Sequence, residues 1–311
     1  MSAEVLSILA LACFAIGAAA ALLAFRVEAL RSSWLQLGAA GLGMVFKTAA
    51  IGMACADSQT HFFNSPSEMI GLLAWSLGFS YLIALTVSAA RSLGAVIMPL
   101  VVVLSIISLF ISRETVGIAV PMQRLFAVHV LSAFLGYGLF LTACGASVLY
   151  LEQARLLKRK MFGAIFRDLP SLERLERLEM ICSWLGLAIF SVAMITGAIM
   201  ASESGKPFWL EPKFMSAQVT WLVFLVLVIG RAARRLSGRT AAKCVLAGAA
   251  LVLLTLALGH PFGRPQTAAG RGDTETRGRG DLHWGTLTVP SPRVSASPRP
   301  RVHDRHDGSV S

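Results

Sequence analysis

Charge is scarce in this chain. Only 14% of its 311 residues are charged, against about a quarter in an ordinary soluble domain, so an ordinary soluble domain is excluded. Cysteine is scarcer still. Cys13, Cys55, Cys144, Cys182 and Cys244 show no Cys-x-x-Cys spacing, which leaves no thiol–disulfide or zinc motif. Each reads as a small buried hydrophobe. There is no glycine-rich phosphate loop, no catalytic-triad motif and no pair of carboxylates within an apolar run. The usual carriers of nucleotide-driven and nucleophilic chemistry are missing.

What the chain has is apolar length. Hydrophobic residues make up 55% of it, and its mean hydropathy is +0.68. A helix needs about 20 mostly apolar residues to cross a bilayer. The sequence offers eight such runs: Val5–Phe25, Trp34–Ala54, Met69–Ala90, Leu93–Ile111, Leu125–Leu151, Met180–Ala201, Phe214–Gly230 and Ala241–Gly259. The last two are the short ones. Small residues such as Gly38-Ala39-Ala40-Gly41 and Ala247-Gly248-Ala249-Ala250 suit close helix packing in lipid. The expected fold is all-α, a polytopic transmembrane bundle over residues 1–262. The leader Met1-Ser2-Ala3-Glu4 has no positive region, so the first run is expected to stay as a span and not to be cleaved.

Lys and Arg in the short loops set the orientation. Loops after the odd-numbered spans carry Arg26 and Arg31, Arg91, a basic cluster from Arg155 to Arg177, and Arg231 to Lys243; the short loops of the other side have only Arg113, Arg124, Lys206 and Lys213, before a C-terminal tail whose arginines count little because long segments weigh little in this rule. Both termini are therefore expected outside, and the net charge of +11 is mostly cytoplasmic anchoring charge facing anionic lipid. No nucleic-acid partner is implied. In the Glu152–Glu179 loop, the string Leu172-Glu173-Arg174-Leu175-Glu176-Arg177-Leu178-Glu179 predicts a solvated amphipathic helix leading into span six, held by (i, i+3) and (i, i+4) ion pairs. Residues 263–311, rich in Arg, Pro, Gly and Ser, predict a disordered tail.

This topology brings three features to the outer face: His129 about one turn inside span five, His260 at the end of span eight, and the loop Pro207-Phe208-Trp209-Leu210-Glu211-Pro212-Lys213. Two imidazoles above an aromatic floor can hold a flat iron-bearing ligand such as haem. Lys206 and Lys213 could pair with its propionates or with lipid phosphates. Interfacial aromatic belts explain the same residues without any ligand. Glu211-Pro212 caps the entry to span seven, where a carboxylate is favoured. His61 falls on the same side as a spare ligand.

The string Trp209-Leu210-Glu211-Pro212-Lys213 resembles the tryptophan-rich motif of the cytochrome c assembly family, which includes CcsA-like and HemX-like branches. Glu68 and Trp75 opening span three, Leu169-Pro170-Ser171-Leu172-Glu173 before span six, and Gly259-His260-Pro261-Phe262 agree with it over roughly residues 1–262. The resemblance implies an eight-span layout, haem (b-type, non-covalent) bound by the flanking histidines His129 and His260, and work in cytochrome c maturation or haem trafficking in the bacterial inner membrane beside a partner membrane protein. Haem attachment itself would belong to a larger complex. The chain departs from the family pattern in having one tryptophan, Glu211 where aspartate is usual, and no second histidine pair in the spans, which leaves a single external site.

Lys47 stands apart as a basic residue deep in a span, ~20 Å from its inner end at 1.5 Å per residue. Intramembrane charge marks function by default. It either approaches a haem carboxylate or polar cavity, or snorkels to the surface. Two other functions stay open: a small-solute transporter with Lys47 as the pathway charge, and a non-catalytic scaffold docking partners through the Glu152–Glu179 loop.

Overall fold

The computed structural model describes residues 2–24, 33–57, 65–88, 91–111, 123–160, 169–203 and 211–259. Within them all regular structure is helical: α1 (Ala3–Leu23), α2 (Ser33–Asp57), α3 (Pro66–Ser88), α4 (Gly94–Phe110), α5 (Gln123–Lys158), α6 (Leu172–Glu203), α7 (Pro212–Ala232) and α8 (Gly238–Gly259), with a 3-10 turn at Arg91–Leu93. Seven are long and apolar enough to cross a membrane, and α4 is an apolar helix of 17 residues. The protein is an integral membrane protein. The short span is thus the fourth and not the last two, since α7 has 21 residues and α8 has 22. Helix α4 is bounded by the 3-10 turn before it and by Ile111, which turns extended after it. Helix α5 overruns its expected limit by continuing through Lys158, while α6 starts at Leu172, where the charge pattern predicts a helix leading into span six. The Glu152–Glu179 segment is therefore helical at both ends. The proposed tail, 263–311, lies outside the described residues.

The helices close into two rings of four. In the first, α1 packs on α2 and α4, and α3 packs on α2 and α4. In the second, α5 packs on α6 and α8, and α7 packs on α6 and α8. The rings meet mainly through α3 and α5. There Gly138 is indispensable: a Cβ on it would lie 2.7 Å from the carbonyl carbon and oxygen of Ser76. Ser80 Oγ, 3.0 Å from Gly138 O and 2.6 Å from Thr142 Oγ1, ties the same seam.

Local chemistry sets the helix ends. Ser65-Pro66-Ser67-Glu68 has capping-box spacing, and Ser65 Oγ accepts from Glu68 N at 3.2 Å, with proline at the first helical position. Arg234, with φ 54°, turns the chain left-handed after α7, and Arg235 N donates to Gly230 O at 2.9 Å, closing the helix with a six-to-one bond. Ser237 Oγ then accepts from Thr240 N to start α8.

Lipid tails are as apolar as leucine, so packing fit, more than water exclusion, holds these helices together. The first ring interdigitates Phe14, Leu72, Leu77, Ile97 and Met98; the second stacks Phe140 on Phe224 at 3.7 Å, with Phe190 edge-on. Outward faces are apolar too, as with Leu222, Val226 and Ile229 on α7, which suits a surface facing lipid. On α2 the close approach to α1 uses Ala40, beside Gly17, and Gly43, against Phe14, while Gly38 and Gly41 meet nothing. Helix α6 keeps Leu175 and Leu178 inward and Arg174 and Arg177 outward. Its Glu176 pairs across to Arg231 on α7 at 3.3 Å, in place of a partner within its own helix. Glu179 is fully buried, contrary to the solvated helix the charge pattern predicts.

Candidate functional site

His129 belongs to the second turn of α5, at the end of the bundle where α1 begins. Its Nδ1 lies 2.8 Å from the carbonyl oxygen of Ala193 on α6. A carbonyl can only accept, so Nδ1 carries the proton and Nε2 keeps its lone pair. Thr196 Oγ1 is 3.5 Å from the same nitrogen, while it donates to Val192 O at 2.8 Å. Gly197 makes the space: a Cβ there would lie 2.8 Å from His129 Cε1 and 3.1 Å from Nδ1. Ala193, Thr196 and Gly197 share one helical face, and together they fix the ring. Metal-binding histidines are usually oriented in this way, by a backbone carbonyl on the other nitrogen.

Lys213, on the first turn of α7, is exposed and close enough for its charge to act on the imidazole. Glu211 is the N-cap of α7 through its backbone: Met215 N donates to its carbonyl at 3.0 Å, and its side chain makes no capping bond. Pro212 follows at the first helical position. Helix α8 starts beside Glu176 and Tyr150, near the inner-loop end of α5, and so finishes at the His129 end. Gly259, Glu203 and Glu211 accordingly terminate helices at that end. His260, Lys206, Phe208 and Trp209 lie outside the described residues, as does His61.

The remaining candidates gather elsewhere. Trp75, on α3, donates to Thr48 Oγ1 at 2.8 Å and stacks on Phe79 with centroids 5.4 Å apart. It lines an apolar cleft of about 370 Å³ with Ile51, Leu72, Ala127, Val128 and Leu131. That cleft uses the face of α5 opposite to α6, so it is not the His129 site. Lys47 and Glu68 line a separate cavity inside the first ring. Lys47 is only 6% exposed, so it does not snorkel.

Ala193 and Gly197 were invisible to residue chemistry, since one contributes a backbone oxygen and the other an absence. The one sequence signal was Thr196-Gly197, a polar and a flexible residue within the apolar run of span six.

A bound imidazole with a directed Nδ1–H and an open Nε2 is the donor haem iron takes, so the described half of the site fits that group. Residues 65–259 match the family model described as cytochrome c assembly protein. The chain belongs to that family. The chain is 28% identical over 121 residues to Protein HemX of Bacillus subtilis (strain 168), covering 39% of its own length and 44% of the relative's. It is 24% identical over 247 residues to the cytochrome c biogenesis protein CcsA of Guillardia theta, covering 70% and 80%. A second Protein HemX, from Brevibacillus brevis, is 27% identical over 103 residues. The match spans less than half the length of either HemX relative. No solved structure matches the chain.

Proposed function

We propose that this protein binds haem at one face of the membrane and serves cytochrome c assembly or haem trafficking. His129 and His260 would hold the haem iron, Trp209 and Phe208 would form the aromatic platform, and Lys206 and Lys213 would meet the propionates. The observation that carries this reading is the imidazole of His129, whose Nδ1–H is held by the Ala193 carbonyl so that Nε2 is left to ligate. Family membership supports the cellular role. A haem bound there supplies redox-active iron. The chain's own residues orient the imidazole, shield it from water by burial against α6, and present cations to the carboxylates. The haem is b-type and held without covalent attachment.

The membrane domain is residues 1–262 and the tail 263–311. The protein resides in the bacterial cytoplasmic membrane, with both termini and the haem site on the outer face, the orientation that the loop charges favour. It works beside a partner membrane protein and completes no catalytic cycle alone.

The test is the absorption spectrum of the purified protein, oxidised and reduced, beside His129→Ala and His260→Ala. The expected result is a low-spin haem spectrum that collapses in either variant. A protein that takes up no haem even on reconstitution overturns the reading.

A further inference from the structure

At the end of the bundle opposite His129, the seam between α5 and α6 carries a file of buried polar groups. Gly136 packs against Phe190, and Gly186 against Phe140, which sets the register of the two helices. In that register Ser147 stands opposite Glu179, and Tyr150 opposite Glu176. Ser183 follows Glu179 one turn deeper on the same face of α6. Both serines are buried, and Glu179 is 1% exposed. Ser147 is near enough to act on Glu179, yet Ser147 Oγ, Ser183 Oγ and Glu179 Oε2 make no hydrogen bond among the described residues. Arg231, on the last turn of α7, donates from Nη2 to Glu176 Oε2 at 3.3 Å, while its Nε is buried without a partner among those residues. Tyr150 OH lies beside Oε1 of Glu176 where α8 begins. Arg239, on the first turn of α8, is exposed. Helix α3, which also touches α6, has no ionisable side chain beyond Tyr81.

Two carboxylates one turn apart thus share one largely buried guanidinium, and like charges that close disfavour each other's ionisation. Glu176 is one-third exposed and paired with Arg231, so it is the ionised member. Glu179 has neither water nor a counter-charge of its own, and a buried charge in that position is costly. We propose that Glu179 is a proton-binding site served from the inner-loop end of the bundle, and that its proton decides which carboxylate Arg231 holds. With the proton on Oε2, Arg231 stays on Glu176, the arrangement in the structure. When the proton leaves to water past Glu176, the carboxylate so formed draws the free Nε of Arg231, and Glu176 is left to Tyr150 and solvent. The polar file ends beyond Ser183, where Phe140 stacks on Phe224 with Phe190 edge-on, so the proton enters and leaves by one side. Gly197, against His129, is ~27 Å farther along α6 at 1.5 Å per residue. The proton site therefore stands whether or not haem binds.

Infrared difference spectroscopy of the full chain in lipid nanodiscs tests this, titrated over about pH 6 to 9, where ordinary glutamates are ionised. The expected result is a protonated-carboxyl carbonyl band that shifts in D2O, fades as the pH rises and is absent from Glu179→Gln. Glu176→Gln removes the competing charge and frees Arg231, so the band should fade about one pH unit or more lower. Arg231→Met removes the counter-charge, so the band should persist about one pH unit or more higher. These opposite shifts decide the matter if Glu179→Gln fails to fold. A parent protein with no such band, a band that does not fade with pH, a band unchanged in folded Glu179→Gln, or shifts that are absent or of one sign in the other two variants overturns the proposal.

Discussion

Replacing Gly197 with alanine should move His129 without unfolding the protein. The added methyl would fall 2.8 Å from Cε1 and 3.1 Å from Nδ1 of the imidazole, closer than carbon atoms in proteins tolerate, so the ring must swing away. Swinging breaks the 2.8 Å bond from Nδ1 to Ala193 O. Losing the partner of a buried donor costs about 1–3 kcal/mol, and losing the group that orients a metal-binding histidine costs about 10–100-fold in affinity. The helix itself does not suffer, because alanine is favoured over glycine in a helix interior by about 1 kcal/mol. Two assays separate the effects. Nitrogen-15 histidine NMR on haem-free protein should show His129 as the Nδ1–H tautomer in the parent and as a tautomer mixture in Gly197→Ala. Haem titration should then show affinity lost by about 10–100-fold, with thermal stability retained. An unchanged tautomer in the variant would refute the claim that Gly197 and Ala193 together set the ring.

Gly138→Val should destabilise the join between the rings. Its Cβ meets Ser76 backbone at 2.7 Å, which no side-chain rotation can relieve, so thermal unfolding in detergent should report a loss of about 1–3 kcal/mol or more. Phe224→Ala removes the ring stacked on Phe140 and should cost about 3–5 kcal/mol by the same assay; a loss below about 1 kcal/mol would mean that the second ring repacks freely.

The fold was legible to the extent that hydropathy alone decides it. Eight apolar runs became eight helices because twenty-odd uncharged residues have one stable conformation in lipid. Boundaries were less legible. Helix α5 runs to Lys158, seven residues past the expected Leu151, whereas the start of α6 at Leu172 follows the helix expected over Leu172–Glu179, which buries Leu175 and Leu178 on its inner face. The site was legible only by residue type. His129 stood out as an imidazole inside an apolar run, but its partner is a backbone oxygen that carries no signature. Lys47 stood out as a charge, yet nothing in α2 tells that Gly71 and Ser108 from two other helices close around it. Both facts belong to tertiary arrangement, which periodicity within one helix does not encode.

Each ring of four helices is closed on itself, and the described contact between them runs mainly from α3 to α5. Every described contact between the rings is made by the helices themselves and not through the chain's covalent continuity. In genetic terms the molecule is two cassettes end to end: one holds the buried lysine, the other the oriented imidazole. A pair of genes, each encoding one ring, would carry the same set of described helix contacts as the single gene does.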